Sequence, residues 1–148
     1  MTQPLSAIEI DDLRAFAGMM IPASSAYGVP GADDPTIFAD ILANLGRDRD
    51  DVAVALRRLK ELAGGMTFAG LPAERRRAVG ETLRAEGGLP LAAITRVILL
   101  CYYRDDRVMG SLGQEPRPPF PKGHTVEQGD WSLLDPVKKR PPLWRRVP

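Results

Sequence analysis

Residues 90–103, PLAAITRVILLCYY, constrain this chain more than any other stretch. Read as a helix, the segment is apolar on nearly every face: Leu91, Ala92, Ala93, Ile94, Val97, Ile98, Leu99 and Leu100 leave only Thr95 and Arg96 as polar interruptions. A helix of that kind must be covered all round, so the segment predicts the central helix of a bundle. It spans only about 20 Å, too little for the hydrocarbon of a bilayer, and direct membrane insertion is not expected.

Four further segments supply the cover. Ile10, Leu13, Phe16, Ala17 and Met20 recur at helical spacing over 8–20, with Asp11 and Asp12 at the positive end of the dipole and Pro22 as the stop. Asp34-Pro35 reads as an N-cap followed by a first-turn proline, opening a helix that turns Ile37, Phe38, Ile41, Leu42 and Leu45 inward and ends at Gly46. Val52, Ala55, Leu56, Leu59 and Leu62 stripe a third helix over 50–63, closed by Gly64-Gly65. Phe68 and Leu71 lie in a connector able to insert into the core, and a fourth helix over 72–86 has a thin stripe of Ala78, Val79 and Leu83. No stretch alternates with period two. The expected fold is therefore all-α: a bundle of about five helices over 1–109, followed by a long, irregular, Pro-rich tail over 110–148.

Composition sharpens that division. The first 109 residues carry 13 Lys/Arg and 15 Asp/Glu, and the last 39 carry 7 and 4 together with 8 of the 14 prolines. A formal net charge of +1 gives no electrostatic reason to expect nucleic acid. The triple arginine Arg75-Arg76-Arg77 reads as a solvated helix face. One cysteine, Cys101, and one histidine, His124, exclude an internal disulfide and do not make a zinc site. Cys101 belongs to the most apolar helix and reads as a packing residue, and His124 as a loop residue. The acid pairs Asp33/Asp34 and Asp105/Asp106 read as caps and turns, because carboxylates adjacent in sequence rarely face one reacting atom. The glycine pairs follow helices and cannot form a phosphate loop. No catalytic residue, cofactor site or metal site is expected in this chain, which points to a binding or structural role.

The tail is unusual for a segment without helical pattern. It spaces Phe120, Trp131 and Trp144 along its length, with Leu133, Leu134, Val137 and Leu143 between them. Large rings bury much area with few rotors and are favoured interface anchors. Prolines restrict the unbound chain and so reduce the entropy lost on ordering. The tail reads as a belt laid on another polypeptide, with Tyr102, Tyr103, Phe120, Trp131, Leu143 and Trp144 as the expected partner-binding residues. The proline motifs 116–119 and 140–143 would alternatively suit a polyproline-reading module. A stand-alone helical adaptor using the basic tail on protein or nucleic acid is the other functional class.

Three stretches carry a family resemblance: LRAFAGMMIPASSAYGVPGADDP (13–35), FAGLPAERRRAVGETL (68–83) and CYYRDDRVMGSLG (101–113). In order they show a helix ending in Ile21-Pro22, a Pro30-Gly31 loop, a Phe68-x-x-Leu71 connector, and Tyr102-Tyr103 followed by the acidic turn at Asp105 and by Gly110. The set resembles the gluconate 2-dehydrogenase subunit 3 family, the small subunits of flavin-dependent sugar and alcohol dehydrogenases. The resemblance implies a non-catalytic subunit whose partner is a large FAD-binding oxidoreductase of the glucose–methanol–choline type. FAD would reside in that partner, which oxidises a hydroxyl of a sugar, glycoside or other alcohol. Family members often carry a twin-arginine export signal. The start MTQPLSAIEI has none, which gives a cytoplasmic expectation, with a periplasmic location if a signal was removed or the partner directs export.

Overall fold

The computed structural model describes residues 4–118, 123, 125–141 and 144. Among them lie seven α-helices: α1 (Ala7–Met20), α2 (Pro35–Ala43), α3 (Arg49–Leu62), α4 (Ala73–Glu86), α5 (Gly88–Tyr103), α6 (Asp106–Ser111) and α7 (Asp135–Lys138). Two 3-10 turns, Gly46–Asp48 and Trp131–Leu134, precede α3 and α7. The described residues hold no strand, only one isolated antiparallel bridge between Ser24 and Val29. The protein is all-α. It divides into two compact units, Met1–Pro116 and Arg117–Pro148.

Helix starts follow local chemistry. The Ser6 hydroxyl accepts from Glu9 N–H at 3.3 Å while the Glu9 carboxylate accepts from Ser6 N–H at 2.8 Å, a reciprocal capping box that starts α1 one residue before the expected Ile8. Asp34 caps α2, accepting from Thr36 N–H at 3.0 Å, and Pro35 fills the first helical position as expected. Between α4 and α5 the chain turns at Gly87, whose φ of 69° is strained for any L side chain. The next helix then begins at Gly88, and Pro90 sits in its first turn, where a missing N–H costs nothing.

The core of the first unit is contributed by every long helix. Leu13, Phe16, Ile37, Ile41, Val52, Leu56, Leu59, Phe68, Ile94 and Ile98 are all buried. Phe68 is fully enclosed and tilts against Phe16 at 6.1 Å, as its place in the connector predicts. Asp12 is the surprise of α1. Assigned by sequence to the helix dipole, it is buried and accepts a hydrogen bond at 2.8 Å from Ala69 N–H, tying the connector to α1. In α4 the expected Ala78 faces solvent, and Gly80 takes the buried place beside Val79 and Leu83.

Two sequence expectations change. The central helix is not α5 alone: its most extensive partner is α3, which also packs on α1 and α4, whereas α5 packs chiefly on α3, α2 and the short α6. Cover from those helices closes only half of α5, and Leu89, Ala92, Arg96, Leu99, Leu100 and Tyr103 remain exposed. The second change is in the segment expected to lack helix. The boundary at 109/110 falls inside α6, held down by buried Val108, and the Trp131–Leu134 turn runs directly into α7.

Candidate functional site

The uncovered face of α5 is a continuous stripe. Leu89, Ala92, Arg96, Leu99 and Tyr103 follow one another at spacings of three and four residues, which places them on one side of a helix, with Leu100 alongside. Leu89 is 77% exposed, Leu100 61%, Tyr103 53% and Leu99 40%. Arg96 is the single charge in the stripe, and Asp48 accepts from its Nε at 3.1 Å and from its Nη2 at 2.5 Å. That guanidinium holds the Asp48 carboxyl below the usual carboxylate range.

Of the two tyrosines expected at an interface, Tyr103 lies on this stripe and Tyr102 does not. Tyr102 is buried, and its hydroxyl donates to the carbonyl of Pro30 at 3.2 Å, which pins the loop after α1. Burial pushes its phenol pKa up. Its ring supports Tyr103 edge-on at 5.3 Å, so it shapes the surface from behind without offering area of its own. Beside them a cleft of about 240 Å³ is bordered by Tyr27, Tyr103 and Leu112, all exposed.

In the second unit Trp131 and Trp144 are 64% and 65% exposed, with Leu133, Leu134 and Val137 also open to solvent. The turn that presents Trp131 is built locally: Asp130 caps it by accepting from Ser132 N–H at 3.0 Å, and the Trp131 indole donates to Gln128 at 3.2 Å. The hydrogen bonds from Ser132 lower the Asp130 pKa. No residue of this turn or of α7 is buried. Phe120, Leu143 and His124 lie outside the described residues.

The polar chemistry of the first unit gathers at the junction of α2, α5 and α6, around a cleft of about 540 Å³. Arg104 donates to Asp40 through Nε at 2.6 Å, and Arg107 bridges Asp34 at 2.8 Å and Asp105 at 2.9 Å. Asp34, Asp40 and Asp105 are all held below the ordinary carboxylate range, chiefly by these arginine hydrogen bonds. Asp34 and Asp105 are also the caps of α2 and α6, the role their positions in sequence suggest. Cys101, in the wall of the cleft, is buried, and desolvation pushes its thiol up to about 11. A thiol so poised is a poor nucleophile at neutral pH. Each of these arginines is thus already matched to a carboxylate. Among the described residues no three His, Cys, Asp or Glu side chains are placed to hold a metal ion, and no single helix is long and apolar enough to cross a membrane.

No family model matches the chain, and no curated protein or solved structure matches it either.

What sequence reading missed is the open side of α5 and its neighbouring groove. The signal was present: α5 is apolar all round while α4, which flanks it, has too thin a stripe to cover it. Too few apolar partners for one helix leave part of its apolar surface exposed.

Proposed function

We propose that this chain is a non-catalytic accessory subunit that binds and stabilises a large FAD-dependent oxidoreductase acting on a sugar, glycoside or other alcohol hydroxyl. The observation that carries the reading is the half-covered α5, a helix whose exposed side is apolar apart from Arg96. Exposed leucines confined to one helical stripe are a contiguous patch, and such patches on small domains mark association surfaces. The exposed Trp131 and Trp144 add ring anchors from the second unit. The ordered motifs at Ile21-Pro22, Pro30-Gly31, Phe68…Leu71 and Tyr102-Tyr103 supply the resemblance from which the flavoprotein partner is taken. The polar cleft favours the same reading, since its arginines and carboxylates neutralise each other and leave no poised acid–base pair.

Co-expression with the large-subunit gene is the decisive experiment. The expected result is a yellow, stoichiometric complex, and loss of soluble large subunit when the second unit, residues 117–148, is removed. A colourless chain eluting alone beside a soluble, fully active flavoprotein overturns the proposal.

A further inference from the structure

A groove of about 620 Å³ runs between α1, α4 and α5, beside the exposed stripe of α5. Its base is Phe16, Met19, Met20 and Leu91, and exposed Ala92 forms the lip shared with that stripe. Two cations stand on its α4 rim, Arg77 and Arg84. They are seven residues apart, hence on the same side of α4 and separated by about 10 Å along its axis. Glu81 lies between them and takes a hydrogen bond from Arg84 at 2.8 Å, whereas Arg77 has no ion pair among the described residues. A second cleft of about 320 Å³, on the other side of Met19, is also bordered by Arg77 and adds Arg76, with Asp33 opposite. The arginine run at 75–77 therefore has a location: Arg77 borders both the apolar groove and a more polar cleft that shares Met19 with it, and Arg76 borders the second.

Gly80 seats Met19 against α4 at the floor of the groove. It lies in the middle of α4, where glycine is a poor helix residue. A Cβ at that position would come within 2.5 Å of the Met19 methyl carbon and displace the side chain from its seat on α4.

We infer that this groove is a docking site for an acidic amphipathic helix of a protein partner, its apolar ridge seated on Met19, Met20, Leu91 and Ala92 and its carboxylates on Arg77 and Arg84. The groove is lined by residues of α1, α4 and α5 and is open to solvent, and an apolar groove between helices is the kind of surface that takes the apolar face of a further helix. An enclosing pocket would suit a small molecule instead. Methionines are unbranched and polarizable and adapt to the side chains of an incoming ridge. The charge pattern selects the occupant's sign, because two arginines against one glutamate leave the rim net positive, with Arg77 unpaired among the described residues and Arg84, two turns on, able to share Glu81 with an incoming acid. The inference adds a second contact to the accessory-subunit reading and rests on it only for which protein bears the helix.

The test needs no flavoprotein, so its failure is separable from failure of that reading. The full chain is labelled with ¹³C at its methionine methyls, of which there are only 5. The probe is a synthetic amphipathic peptide with leucines along one ridge and two glutamates two turns apart on its flank. A control peptide has lysines at the glutamate positions. The expected result is saturable movement of the Met19 and Met20 methyl signals at roughly tens of micromolar glutamate peptide, with Met66 and Met109 unmoved and the lysine peptide at least about tenfold weaker. Ala92→Trp fills the lip from an exposed position and abolishes the shifts. Combined Arg77→Glu and Arg84→Glu reverses the preference between the peptides. Absence of shifts, equal binding of the two peptides, or shifts that persist in Ala92→Trp overturns the inference. So does movement of the same two methyls with protein concentration alone, which would assign the groove to a second copy of the chain.

Discussion

Replacing Leu89 and Leu100 together by glutamine separates partner binding from folding. Both lie on the uncovered stripe of α5, 77% and 61% exposed. Full burial of a leucine is worth about 1.5–3 kcal/mol relative to leaving it in water. Scaled by those exposed fractions, the surface that a partner would still cover is worth about 2–4 kcal/mol for the pair, or roughly 30- to 700-fold in Kd. Glutamine has nearly the helix propensity of leucine and keeps the Cβ and Cγ atoms that make the inward contacts, so the isolated chain loses less than about 1 kcal/mol. The assay is titration of the co-purified flavoprotein with the double variant, followed by retained flavin absorbance, beside thermal unfolding of the variant alone. Unchanged affinity with an intact fold would refute the claim that this face is covered in the complex. A fold that collapses would show instead that the stripe is packed within the chain itself.

Three other experiments test the scaffold. Asp12→Ala deletes a buried acceptor and orphans Ala69 N–H, costing about 1–3 kcal/mol and lowering Tm by roughly 3–12 °C, while Asp12→Asn, which retains an oxygen acceptor, costs clearly less in the same melt. Arg107→Met removes the cation that depresses Asp34 and Asp105. Stability from a lowered carboxyl pKa is complete above the unfolded value near 4 and is lost as pH falls through the lower folded value. The variant should therefore melt below the parent at pH 7 and converge with it by about pH 2, and a constant gap across that range would exclude linkage through these carboxyls. Cys101, with its thiol pushed up to about 11, should resist a disulfide reagent at pH 8 in the folded chain and react fully in denaturant; rapid reaction of the native protein would show that the α2–α5 contact opens.

The helices were largely legible because each is short, striped at helical spacing and bounded by glycine or proline. Pro35, Gly64 and Gly87 mark ends within a residue or two of those observed, whereas α2 stops at Ala43, three residues before the expected Gly46, which instead opens the 3-10 turn leading into α3. Propensity and pattern are local quantities, so local sequence suffices for them. Asp12 was not legible in the same way. An aspartate in a first turn satisfies the dipole whether or not the connector at Phe68–Leu71 returns to meet it, and only the tertiary path decides between solvent and Ala69 N–H. The same holds for Tyr102 and Tyr103, adjacent and chemically equal in sequence, which the 100° step of the helix sends to opposite fates. The short α7 escaped because four residues give too little periodicity to read; Asp130 caps only the turn before it, and Pro136 in the first turn of α7 was its one local sign.

The electrostatics of the α5 stripe bear on what can cover it. A lone guanidinium in an otherwise apolar face would normally forbid an apolar partner, since burying an unpaired charge costs far more than the surrounding leucines return. Arg96 is not alone: two of its nitrogens are already committed to Asp48, in the turn that starts α3. A partner closing over the stripe therefore covers an ion pair of no net charge and must satisfy only the remaining guanidinium donors. A carbonyl or hydroxyl placed over Arg96 is enough, and no partner carboxylate is required. The demand is different at the α4 rim, where Arg77 lacks an ion pair and a carboxylate is called for. The two neighbouring surfaces thus ask for different chemistry, apolar with one neutral acceptor on α5 and apolar with acid beside α4. A single partner that covered both would have to present those two chemistries side by side.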